Sequence, residues 1–105
     1  MKYTIAESRL VKLMDNYITR RIGNLYMRNS SNINATAKDF ELVDIDRSII
    51  FEMIDGNLGV SQELFYSIMF MFNMNYTETE NMFVRWFEKR YPNIHIVASY
   101  CSIYY

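Results

Sequence analysis

FELVDIDRSIIFEMIDGNLGV, residues 40–60, decides the fold. Its runs FELVDI, from Phe40, and SIIFEMI, from Ser48, are rich in Val, Ile, Leu and Phe, and Asp46-Arg47 separates them. Short apolar runs bounded by turn residues read as β-strands. Asp55-Gly56 then supplies a two-residue hairpin signal, because both positions tolerate the positive φ of a tight turn. A three-stranded antiparallel meander is predicted.

Upstream, residues 24–39 (NLYMRNSSNINATAKD) lose all periodicity and fill with Asn and Ser. Such side chains compete for backbone hydrogen bonds, so a mobile loop is expected over about 24–39. Before it, Leu10, Met14, Tyr17 and Ile18 recur at helical spacing, predicting a helix from Thr4 to Ile22. A Thr4–Glu7 capping box starts this helix, and Gly23-Asn24 offers a left-handed stop.

Downstream, Ser61 is the expected cap of a second helix reaching about Asn73. Leu64, Phe65, Ile68, Met69, Met71 and Phe72 cover most of its circumference, which suits a central or assembly helix. TETE, residues 77–80, reads as a capping box for a third helix. There Met82, Phe83, Trp86, Phe87 and Tyr91 share one face, while Glu78, Arg85, Glu88 and Lys89 face water. Pro92 ends the third helix, and a strand from Ile94 to the last residue, apolar on both faces, closes the chain. The class is therefore α+β: an N-terminal helix, the meander, two helices and a C-terminal strand, with the helices packed on one sheet face. At 105 residues, the chain supports a single domain, 1–105.

The net charge of −1 gives no global attraction to nucleic acid or membrane. No apolar stretch approaches the roughly 20 residues of a spanning helix, and the charged N-terminal region has no signal-peptide core. Cys101 is the single cysteine, which fits a reducing compartment. His95 is the single histidine; on an extended strand it sits about 20 Å from Cys101, too far for a nucleophile–base pair. Asp44 and Asp46, about 7 Å apart on one strand face with Glu52 across from them, are the only hint of a divalent-cation or hydrolytic site. Strands with a wet face carry such charges routinely, so no catalytic residue, metal or cofactor is expected.

Charge is unevenly placed. Over residues 1–28, Lys2, Arg9, Lys12, Arg20, Arg21 and Arg28 outnumber Glu7 and Asp15, a balance of +4. Over 39–63, seven carboxylates face only Arg47, a balance of −6. Arg9, Lys12, Arg20, Arg21 and Arg28 are candidate phosphate-backbone contacts. Opposed segments equally suit head-to-tail self-contact or a charged protein partner.

Nine Tyr, seven Phe, one Trp and eight Met are more than a core of this size needs. Phe65, Phe83, Trp86 and Phe87 read as core. Phe70, Met71 and Met74 on the apolar helix, with Tyr100, Ile103, Tyr104 and Tyr105 at the tail, are the candidate protein-binding residues. A free tail of this composition would aggregate, so it is expected either inside its own sheet or paired with another chain.

The ordering of an ESRLVKLMDNYI helix (7–18), a short acidic meander, and an apolar helix leading to NYTETENMFVRWFEKRYPNIHIV (75–97) resembles small accessory and virion-associated proteins of tailed bacteriophages. Those proteins often close with an amphipathic helix ending in a Trp-Phe-Glu type sequence and a strand. The resemblance implies a viral accessory or virion-associated protein made in the bacterial host cytoplasm, with no catalytic residues to carry over. The excess apolar surface adds the expectation of a non-enzymatic protein that self-assembles or docks on a viral or host protein, with a nucleic-acid-binding accessory protein as the alternative.

Overall fold

A computed structural model describes residues 7–29, 39–94, 96 and 101–104. Its elements are α1 (Glu7–Ile22), β1 (Tyr26–Asn29), β2 (Phe40–Val43), β3 (Ile49–Ile54), β4 (Asn57–Ser61), α2 (Gln62–Met71), α3 (Tyr76–Arg90) and β5 (Cys101–Tyr104). The fold is α+β. No helix among the described residues is long and apolar enough to cross a membrane.

The sheet has the order β1-β2-β3-β4-β5, antiparallel from β1 to β4 and parallel between β4 and β5. The meander therefore has four strands, one more than expected. Tyr26–Asn29, placed in a loop by its sequence, pairs with Val43–Phe40. All four of its residues are exposed, so no buried face imprints an alternating pattern. Backbone pairing and the Arg28–Glu41 ion pair hold it instead.

The β2–β3 and β3–β4 turns are specified locally. Asp55 and Gly56 both take positive φ (54° and 77°), as their hairpin requires. At the other turn, the Asp44 carboxylate accepts the amides of Asp46 (3.0 Å) and Ser48 (2.9 Å). A bulge opposite Val43 lets Ile50 join the core alongside Phe51.

Parallel neighbours need a long crossover, and α2 with α3 supplies it between β4 and β5. Ser61 caps α2, its hydroxyl accepting the Leu64 amide at 3.4 Å. The capping box of α3 is Asn75–Glu78 rather than Thr77–Glu80, with reciprocal bonds of 2.8 and 2.9 Å. Asn75 is as strong a cap as threonine and starts the helix two residues sooner, which draws Thr77 inside. Gly23 stops α1 at φ 84°, its amide bonded to the Thr19 carbonyl at 2.9 Å. The expected Thr4–Glu7 cap involves residue 4, which lies outside the described residues, as does His95.

The core lies between the sheet and the helices. Phe40, Leu42, Phe51, Met53, Leu58 and Val60 are cross-strand neighbours turned toward Leu10, Met14 and Ile18 of α1, Leu64, Phe65 and Ile68 of α2, and Met82, Phe83, Trp86 and Phe87 of α3. Helix α1 is fastened to α3 by Asp15, whose Oδ1 accepts Trp86 Nε1–H at 2.9 Å and an Arg90 N–H at 3.2 Å.

Glu41 and Glu52 stand opposite each other on neighbouring strands, on the other side of the sheet from Phe51. Glu41 is 1% exposed and accepts the Arg28 guanidinium at 2.8 Å. Burial first, and the Glu41 charge second, raise the Glu52 carboxyl above its ordinary 4.5. An acid whose pKa is raised on folding is penalised when ionised. That penalty is complete above the folded-state pKa and vanishes as pH falls toward 4.5, where the unfolded chain also takes up the proton. Glu52→Gln is thus expected to melt at a higher temperature than the parent chain at neutral pH, with the gap closing as the pH approaches the ordinary carboxylate range. Thermal melts across that range check it; a gap independent of pH would refute the electrostatic cause.

Candidate functional site

The largest exposed apolar side chain of α2 is Phe70, at 75%, and Met71 beside it is 56% exposed. Their exposure follows from how the helix ends. Asn73 adopts φ 52°, its amide bonds to the Phe70 carbonyl at 3.3 Å, and the Met74 amide reaches back to Met69 at 3.0 Å. This is the Schellman arrangement, with asparagine in the left-handed position and the next residue folded back onto the helix. It draws Met74 inside, to 7% exposure. Met74, expected on the binding surface, is a core residue for that reason.

Phe70 stacks on Tyr66 (centroids 6.2 Å apart, planes at 25°), and Tyr66 meets the core through Phe65, edge to face at 5.6 Å. From Phe70 and Tyr66, a cleft of about 670 Å³ runs across Ser67 and Ser61 to Ser48 and to Ile49 and Ile50 of β3. The lining is mixed: Phe70, Tyr66, Ile49 and Ile50 are interleaved with Ser48, Ser61, Ser67, Gln62 and Glu63, and the exposed Met71 follows Phe70 in sequence without lining the cleft. Exposed rings and an adaptable thioether recur in protein-binding surfaces.

The tail residues are placed differently from Phe70. The backbones of Ile103 and Tyr104 pair with Val60 and Ser61 of the chain's own β4, which answers the open question in favour of an intramolecular strand. Tyr100 and Tyr105 lie outside the described residues. Among the described residues the strand covers Cys101–Tyr104, and Ile94 and Ile96, expected within it, are not in a strand.

The five candidate phosphate contacts do not form one surface. Arg9, Lys12, Arg20 and Arg21 are exposed on α1, but Arg21 binds Glu63 at 3.0 Å. Arg28 sits in β1, at the sheet, and is committed to Glu41. The basic and acidic segments thus meet inside the chain at two points. That internal pairing uses part of the charge that suggested head-to-tail contact.

The acidic hint dissolves as well. Asp44 shapes the β2–β3 turn and Asp46 lies within it, so they do not share a strand face. Glu52 pairs with Glu41 and Gly59 further along the sheet. Among the described residues, no three His, Cys, Asp or Glu side chains converge as metal ligands.

No protein-family model, curated protein or solved structure matches this chain.

Proposed function

We propose that this chain is a non-enzymatic protein-interaction protein of the phage accessory type, acting in the bacterial host cytoplasm, and that it self-associates through the α2 face. The observation that carries the reading is the exposure of Phe70, which lines the Tyr66–Ile49 cleft, and of Met71 next to it in sequence. Burying two such side chains on a partner is worth about 1.5–3 kcal/mol each, enough to seed an interface of modest size. A second copy supplies the same rigid ring and flexible thioether, so a two-fold contact places like apolar surfaces together. Nucleic-acid contact has less support, because Arg21 and Arg28 are already paired.

Phe70→Glu/Met71→Glu tests this. Neither side chain carries the core, so the variant is expected to keep the parent's helical content and melting temperature. The parent chain is expected to sediment above monomer mass at hundreds of micromolar, and the variant as a monomer. A parent chain that stays monomeric at that concentration, with solubility no lower than the variant's, sinks the α2 reading.

A further inference from the structure

A second cleft lies between α1 and the last turns of α3. Val11, Lys12 and Asp15 face Trp86, Lys89 and Arg90 across about 460 Å³ of open space. Small-molecule sites occupy roughly 300–1,000 Å³. Three cations and one carboxylate line it, a net formal charge of +2.

The carboxylate is already used. A single oxygen of Asp15 accepts both the Trp86 indole N–H and one Arg90 nitrogen, which fixes the guanidinium at the mouth of the cleft. Lys12 and Lys89 have no carboxylate partner among the described residues. Cations in the last turn of a helix complement its dipole, and this accounts for Lys89 and Arg90 by themselves. It does not account for Lys12, which stands in the middle of α1 and converges on them from the other wall.

We propose that this cleft binds a small phosphate-bearing anion, a phosphomonoester or a diphosphate. The charge selects the ligand class. A phosphate monoester carries about −1.5 to −2 at neutral pH, which balances the cleft, whereas a monocarboxylate leaves one cation uncompensated. The chemistry agrees: lysines serve phosphate as mobile point charges, and the guanidinium of Arg90 has five donors, of which Asp15 takes one. Val11 and Trp86, both buried, back the cleft with little surface of their own, so the cations dominate what a ligand meets. The site is separate from the α2 face and does not depend on self-association.

Trp86 is the chain's single tryptophan, so its fluorescence reports from inside the cleft. Titration of the full chain with inorganic pyrophosphate and with AMP, against sodium chloride at matched ionic strength, is expected to give a saturable change. Lys12→Gln/Lys89→Gln is expected to weaken that binding at least about tenfold, since two charge-assisted contacts are lost. Both lysines are exposed, so the variant should melt with the parent chain, and Arg20→Gln should bind as the parent does. Three results would overturn the proposal. They are no saturable change with either compound at millimolar concentration, undiminished binding by the double variant, and binding of single-stranded oligothymidylate without binding of AMP or pyrophosphate, which would mark a surface that tracks a nucleic-acid backbone rather than a pocket.

Discussion

Phe51→Ala is expected to destabilise the fold by about 4 kcal/mol, the range found when a fully buried aromatic is truncated in a core that cannot collapse around the loss. Phe51 is fully buried in β3, the middle strand of the five-stranded sheet, with Leu42 and Val60 beside it on the neighbouring strands. Its ring stacks on Trp86 at 5.0 Å and meets Phe83 at 6.1 Å and Phe87 edge-on at 6.0 Å. One side chain therefore joins the sheet to α3, and through Trp86 and Asp15 to α1. Removing it loses the transfer energy of the ring, three aromatic contacts and the rigidity of the tryptophan. Domains of this size hold about 5–15 kcal/mol in total, so the variant is left marginal. Phe51→Leu keeps most of the volume and should cost well under half as much. Urea denaturation of both variants reads the difference. A cost for the alanine variant near that of a surface substitution would mean that this ring does not anchor α3 to the sheet.

The aromatic stripe behind that prediction was legible in the sequence, because Met82, Phe83, Trp86 and Phe87 recur at helical spacing on an otherwise charged helix. So were the Asp55-Gly56 hairpin, the Ser61 cap and the Gly23 stop, each of which depends on residues within a turn of one another. Features that depend on distant partners were hidden. Tyr26–Asn29 has no buried face and becomes a strand only through Phe40–Val43. Met74 follows a run of apolar helical residues and looks like their continuation until Asn73 turns the chain back. The cationic cleft was invisible for the same reason: Asp15 and Trp86 are 71 residues apart, and only the packing of α1 on α3 sets Lys12 opposite Lys89. The exposed half of α2 was half legible. Composition showed too many apolar residues for one side of a helix, but not which of them the core would take.

Ending the chain after Ser99 is expected to cost roughly 4 kcal/mol or to abolish cooperative folding. Four register pairs join β5 to β4, from Leu58–Cys101 to Ser61–Tyr104, and a net backbone hydrogen bond contributes about 1 kcal/mol. The damage does not stop at lost bonds. With β5 removed, β4 becomes the sheet edge, and Leu58 and Val60, both fully buried, sit on an apolar strand whose outer side is unpaired. Such an edge is a template for aggregation. The α2–α3 crossover would also lose the strand it leads to, since β5 lies against both helices. Thermal melts and solution mass of the truncated chain, beside those of Phe70→Glu/Met71→Glu, separate two roles. Loss of the melt in the truncated chain alone places the tail in the core and leaves self-association to α2. A truncated chain that melts like the parent but has become monomeric would instead make β5 the strand that copies exchange, and the α2 face would then have to be tested with the tail absent.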